Sequence, residues 1–256
     1  MSDKKIRYYE NYETDFFENG NGYKLPDDYK WVRNDVLSRF LSAVIYTAAL
    51  VFSNIYCRFF LHLKIVGAQK VRRVKKTGFF FYGNHTQPVG DVFNPALACF
   101  PKRIYTVVGA DNFALPVIGK ILPFLGALPI SETVHGMKEF NKAVEHRIKK
   151  GHPVIIYPEA HVWEYYTGIR PFSPSSFKFP VKLNVPTFCF TVTYQKKRLG
   201  KKPKATLYVD GPFLPEGETT KEKAQTLRNA VYDTMKERSK ASTYSYIVYK
   251  QKDEDR

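Results

Sequence analysis

Cysteine is scarce in this chain. The three that occur, Cys57, Cys99 and Cys189, lie far apart and form no C-x-x-C pair. That excludes a disulfide framework and a cysteine-based zinc motif, and it predicts reduced thiols in a core. The first 30 residues contain no apolar stretch, so no secretory signal is expected. Without one, the formal sequon Asn84-His85-Thr86 is not expected to carry a glycan. G-x-S-x-G, G-x-x-x-x-G-K-[ST] and G-x-G-x-x-G are all missing. Their absence removes the usual hydrolase, phosphate-loop and dinucleotide signatures. Internal repeats and low-complexity tracts are missing too.

Negative charge is also in short supply. Against 40 Lys and Arg stand 24 Asp and Glu, a net +16 over 256 residues. Residues 1–39 hold seven basic and eight acidic side chains, which leaves +17 on residues 40–256. A body that basic favours an anionic partner: phospholipid headgroups, nucleic acid or a phosphorylated small molecule. Charge and an aromatic content of 16% are the only support for nucleic acid. No recognised nucleic-acid motif accompanies them, so no such partner is expected.

The length fits one large domain preceded by an arm. Residues 1–32 are polar and read as an irregular arm. Residues 33–60 read as an amphipathic, membrane-associated helix. Residues 61–250 read as an α/β domain. In the second segment, 18 uncharged residues separate Arg39 from Arg58. As a helix they would span about 27 Å, just short of a ~30 Å hydrocarbon core. Leu37, Leu41, Val44, Ala48, Val51, Phe52, Ile55 and Phe59 recur at three-and-four spacing and form one apolar stripe, with Ser42, Thr47, Ser53 and Asn54 on the other side. A buried core helix, an interfacial helix and a spanning helix all satisfy that pattern. The basic run that follows, from Arg58 to Lys76, would hold the body on the cytoplasmic face of an anionic membrane.

Beyond residue 60, apolar runs at 63–67, 79–83, 104–109, 127–130, 153–158, 186–194 and 205–211 predict strands. Helical patterns fall at 92–100, 112–121, 134–150, 174–183 and 218–239. Near-continuous apolar strands separated by helices predict an α/β fold with a largely parallel central sheet flanked by helices.

Three stretches present chemistry. In "FFFYGNHTQPVGDVF" a strand ends at Gly83, and polar residues emerge at its carboxyl edge, where open α/β sheets place their sites. His85 with Asp91 reads either as a base with its orienting carboxylate, or as a turn residue followed by a helix cap. In "VIIYPEAHVWEYY" a second strand delivers Glu159 and His161, which read as ligand contacts or as loop surface. In "GIRPFSPSSFKFPVK" Ser173 or Ser175 opens a helix after Pro174, with Ser176, Arg170, Lys178 and Lys182 close by, either a phosphate site or a capped basic helix. His85, Asp91, Glu159 and His161 lack the tight spacing of zinc motifs, so no metal is expected.

The order of blocks resembles the glycerolipid acyltransferases, in particular the lysophosphatidic acid (1-acylglycerol-3-phosphate) acyltransferases, over residues 35–215. "NHTQPVGD" is similar to that family's first block, "LGALPIS" (125–131) to the second, "YPEAHVW" (157–163) to the third and "LNVPTFCFTV" (183–192) to the fourth. The resemblance implies transfer of a fatty acyl group from a thioester, acyl-CoA or acyl carrier protein, to a hydroxyl of a lysophospholipid at a membrane surface. No tightly bound cofactor is implied. His85 would be the general base and Asp91 its orienting group. Asn84, Glu159, Ala160 and His161 would lie beside the acceptor. The chain departs from the family in three places. Five residues rather than four separate His85 from Asp91. Ser131-Glu132 stands where the second block ends in Arg. Ala160-His161-Val162 stands where the third block has Gly-Thr-Arg. Arg170 or the segment holding Ser175, Ser176 and Lys178 is the expected substitute for the lost cations. A non-catalytic lipid-binding relative is the other reading of the same drift.

Overall fold

The computed structural model describes residues 5–17, 22–198 and 200–252. In chain order its elements are β1 (Lys5–Tyr9), α1 (Val36–Phe59), β2 (Lys64–Val66), α2 (Gln69–Arg72), β3 (Phe80–Gly83), α3 (Gly90–Cys99), β4 (Tyr105–Val108) and α4 (Ile118–Leu125). Then follow β5 (Ala127–Pro129), α5 (Val134–Lys149), β6 (Val154–Ile156), α6 (Lys178–Leu183), β7 (Thr187–Gln195), β8 (Lys204–Phe213), α7 (Thr220–Ser239) and β9 (Ile247–Gln251). The seven predicted apolar runs form one sheet in the order β2-β8-β7-β3-β6-β4-β5. Its neighbours are parallel except for β7 and β8.

Strand alternation divides the core. Phe79 and Phe81 point to one face, where residues of α1 and α3 such as Cys57, Ala96 and Cys99 cover them. Phe80 and Tyr82 point to the other, against Phe140 and Val144 of α5 and Leu227 and Val231 of α7. The helix expected at 112–121 is split into a 3-10 turn (Ala110–Ala114) and α4. Pro116 is the cause: it disfavours helical backbone at the residue before it, and Leu115 is extended.

The arm is not irregular throughout. β1 pairs in parallel with β9, from Lys5–Ile247 to Tyr9–Gln251. Residues 1–4 and 18–21 of the same expected arm lie outside the described residues.

α1 is not a core helix. Only Ser53 and Cys57 are buried in it. The face that docks on the domain combines Ser42, Leu50, Ser53, Tyr56 and Cys57, whereas Thr47 and Asn54 of the expected polar side stay exposed. Ser42 Oγ donates to the Phe124 carbonyl (2.9 Å) and Cys57 Sγ to Asn94 Oδ1 (3.4 Å). Leu37, Val44, Val51, Phe52, Ile55 and Phe59 are each at least half exposed. Among the described residues it is the one helix long and apolar enough to cross a membrane.

Asp210 on β8 ties two helices to the sheet. It accepts from Lys70 Nζ of α2 (3.1 Å) and from Arg238 Nε (2.7 Å) and Nη2 (3.0 Å) of α7. Burial alone would push its carboxyl up, but the hydrogen bonds from Arg238 and Lys70 outweigh that and hold it below its ordinary value. A carboxyl depressed on folding stabilises above its unfolded pKa, and that stabilisation is lost as pH falls through the folded value. Asp210→Asn should therefore cost about 2 kcal/mol at neutral pH. The gap to wild type in urea denaturation should close in acid; a pH-independent gap would show that the charge is not responsible.

Candidate active site

β3 ends where its neighbours demand a small residue. A Cβ on Gly83 would lie 2.0 Å from the Phe190 ring of β7. Asn84 then continues the ladder with its side chain. Its Nδ2 donates to the Val192 carbonyl (3.0 Å) and its Oδ1 accepts from Val192 N (2.8 Å). Asn84, expected beside the acceptor, is buried with both amide atoms engaged in aiming the following loop.

That loop delivers His85 to Asp91. His85 Nδ1 lies 2.7 Å from Asp91 Oδ2, which also accepts from Gln87 N (2.8 Å). The fifth intervening residue is absorbed in a turn at Pro88-Val89, closed by Asp91 N donating to the Gln87 carbonyl (3.1 Å). Asp91 does not cap α3: the helix starts at Gly90 after Val89, and Asp91 reaches back from its first turn. The Tyr157 ring stacks on the imidazole, centroids 4.3 Å apart, and its hydroxyl donates to the Asp91 carbonyl.

Asp91 is buried whereas the His85 side chain is about one-fifth exposed, so the pair has a closed end and an open end. Burial pushes the Asp91 carboxyl up, opposed chiefly by its bond to His85. Burial likewise drives the Tyr157 hydroxyl well above its usual range, with Asp91 adding to the effect. An ionised Asp91 accepts the Nδ1 proton, fixing the tautomer that leaves a lone pair on Nε2. No described residue bonds Nε2.

The His85 backbone is clamped from the loop after β6. His85 N donates to Glu159 Oε2 (3.1 Å) and its carbonyl accepts from Trp163 N (3.0 Å). Thr86 continues the clamp by accepting from Tyr165 N (2.9 Å). Glu159, expected to contact an acceptor, is instead buried and fully engaged. Its Oε1 accepts from Arg170 N (2.9 Å) and its Oε2 from Arg170 Nη2 (3.3 Å). Burial pushes its carboxyl up while the Arg170 guanidinium pulls the other way.

Arg170, expected to offer a cation to a phosphate, is itself buried. It pairs with Glu159, donates to the carbonyls of Tyr12 (3.3 Å) and His161, and sits 4.9 Å over the Trp163 ring. His161 turns to Asp15, Nδ1 to Oδ2 at 3.0 Å. The N-terminal arm closes over this loop. Tyr9, Tyr12 and Phe16 pack on Trp163, whose Nε1 donates to the Thr14 carbonyl (2.9 Å).

Ser175, Ser176 and Lys178 are not brought to His85. Ser175 and Ser176 belong to a 3-10 turn (Ser175–Phe177) that packs through Phe177 on the sheet face of α5 and α7, and the Ser176 carbonyl accepts from Tyr82. Tyr157 and α3 lie on the opposite face. Lys178 is exposed at the start of α6.

Ala160 is exposed at φ +64°, where the resemblance expects glycine. An L side chain in that region costs about 1 kcal/mol. Ala160→Gly should raise stability by about 0.5–1 kcal/mol without changing turnover. Chemical denaturation checks this; a destabilised variant would contradict it.

Reading the sequence missed Tyr157, Gln87 and Trp163. Tyr157 had a visible signal, the aromatic residue before Pro158-Glu159. Trp163 and Gln87 reach the pair through backbone N–H groups, which residue type does not reveal, although the Trp163 ring also anchors the arm and Gln87 Nε2 donates to the Tyr194 hydroxyl.

The model of the family described as "Acyltransferase" matches residues 62–193. No curated protein matches the chain. Among solved structures, the chain is similar to PlsC, the 1-acyl-sn-glycerophosphate (LPA) acyltransferase from Thermotoga maritima, with a TM-score of 0.52 and 15% identity. The match covers 82% of this chain and 97% of that one.

Proposed function

The chain belongs to the acyltransferase family, and from that premise we propose that it moves a fatty acyl group from a thioester donor to a lysolipid hydroxyl at a membrane surface. The observation that carries this reading is the contact between His85 Nδ1 and the buried Asp91 carboxylate, with Nε2 unbonded by any described residue. Nε2 takes the proton of the acceptor hydroxyl as its oxygen attacks the thioester carbonyl. Asp91 stabilises the imidazolium that results. Collapse breaks the C–S bond, and the imidazolium returns the proton to the departing thiolate. A positioned base of this kind contributes about 10²–10⁴-fold. Acyl-CoA or acyl carrier protein is the donor by family analogy. Arg170 and Glu159 hold the His85 loop in shape, so the acceptor's polar group is met by other residues.

The exposed stripe of α1 supports the surface location. Burying a side chain such as Val or Phe in the bilayer interface is worth about 1.5–3 kcal/mol. α1 docks on the body near both ends, through Ser42 and Cys57, which favours a helix lying in the interface over one that crosses it. Val89 and Val92, beside Asp91, are nearly half exposed and extend the apolar surface to the site. The test is a panel: purified protein with acyl-CoA or acyl carrier protein and a set of lysolipids, the product identified by mass. An ester product supports the proposal. Vesicle binding without product from any pair would favour a non-catalytic lipid-binding protein.

A further inference from the structure

A cavity lies at the other end of the sheet from His85. It occupies about 510 Å³ beside Arg103 and His152, which precede the amino ends of β4 and β6. His85 follows the carboxyl end of β3, and β3, β6 and β4 are parallel neighbours, so the two sites lie at opposite edges. Six cations line this cavity: Lys30, Arg33, Arg39, Arg103, Arg147 and Lys150. No Asp or Glu lines it, and among the described residues none of the six pairs with a carboxylate.

The two central arginines are held by rings and carbonyls. Arg103 lies 4.5 Å over Tyr46 and donates to Ser42 Oγ (2.7 Å). Arg147 lies 4.3 Å over Tyr105 and donates to the Trp31 carbonyl (3.3 Å). Their Nε atoms are buried without a partner. The carboxyl ends of α4 and α5 reach this region, but each supplies only about half a negative charge, far short of six cations. The crowding is felt by the histidines: burial, with Arg147 and Arg103, pushes His152 down to about 4.

We infer that this cavity binds the phosphate group of a ligand larger than phosphate itself. Fixed guanidinium groups without a carboxylate suit a phosphate oxygen cluster. The volume leaves room for a headgroup or a small phosphorylated metabolite. Ser38, Arg39 and Ser42, in the first two turns of α1, line the cavity, placing it at one end of the exposed apolar stripe. A lipid headgroup and a soluble phosphate share this chemistry, and two probes separate them.

The test uses the full chain, with inorganic pyrophosphate by calorimetry and phosphatidylcholine vesicles with or without phosphatidate by co-sedimentation. The exposed pair R39Q/K150Q is the main variant, and R103Q/R147Q the second, each checked for folding by circular dichroism. K201Q/K202Q, exposed beyond the carboxyl end of β7 at the opposite end of the sheet, controls for charge, and H85A for the active site. Wild type should bind saturably, and R39Q/K150Q should weaken binding by about tenfold or more, while K201Q/K202Q and H85A bind as wild type. The loss appearing with pyrophosphate assigns a soluble ligand; the loss confined to phosphatidate vesicles assigns a headgroup. Both support the site without requiring turnover. Failure of wild type to bind either probe, or equal losses in R39Q/K150Q and K201Q/K202Q, would overturn it.

Discussion

Replacing His85 with alanine should lower turnover by about 10²–10⁴-fold and leave the fold and vesicle binding intact. The reason lies in how the residue is held. Its anchoring bonds to Glu159 and Trp163 come from the backbone, which alanine keeps. Its imidazole touches Asp91 and the Tyr157 ring, and part of it faces solvent. The truncation leaves Asp91 buried without its partner, but that carboxyl is already pushed up by burial and can take a proton instead. Asp91→Asn should reduce turnover in the same direction, because an amide that donates to Nδ1 would place the imidazole proton on Nε2. Initial rates with saturating donor, set beside the donor Kd, separate lost chemistry from lost binding. Unchanged turnover in His85→Ala would remove the base from the mechanism.

The second large effect is on stability. Arg170→Ala should cost about 3–5 kcal/mol, because it strands the Glu159 carboxylate in the interior. It also removes the donors to the Tyr12 and His161 carbonyls and the cation over Trp163. Those contacts join the N-terminal arm to the loop that clamps His85, so activity should fall with stability. For a chain of this size the melting point should drop by about 10 °C. Arg170→Lys should not rescue it, since an ammonium cannot reproduce the fork of bonds. The double variant Arg170→Leu with Glu159→Gln should be less damaging than Arg170→Ala alone, because no charge is left buried. Equal melting points for wild type and Arg170→Ala would show that the pair is not structural.

The strands of the sheet were legible because each is a short apolar run bounded by turn residues, and near-continuous hydrophobicity marks a strand covered on both faces. β1 and β9 were not legible. "KIRYY" gains its pairing from a partner at Ile247–Gln251, and no local pattern announces a contact so distant in the chain. The spacing of α1 showed its apolar stripe but not which way the stripe faces. Only the docking of Ser42 and Cys57 decides that the apolar side is outward. At the site, His85 and Asp91 were legible as a pair of suitable types, whereas the roles of Glu159 and Arg170 were not. Both are charged residues in a loop, which normally means surface. They are buried because they satisfy each other, a property of the pair that neither residue carries alone.

The most direct measurement is simultaneous: thiol released from the donor and ester formed on the lysolipid, followed in one reaction on vesicles. Acyl transfer requires the two to rise one to one, to depend on the acceptor, and to vanish together in His85→Ala. Thiol release that proceeds equally without acceptor would mean hydrolysis, and no release from acyl-CoA or acyl carrier protein would mean that the His85–Asp91 pair performs no acyl chemistry.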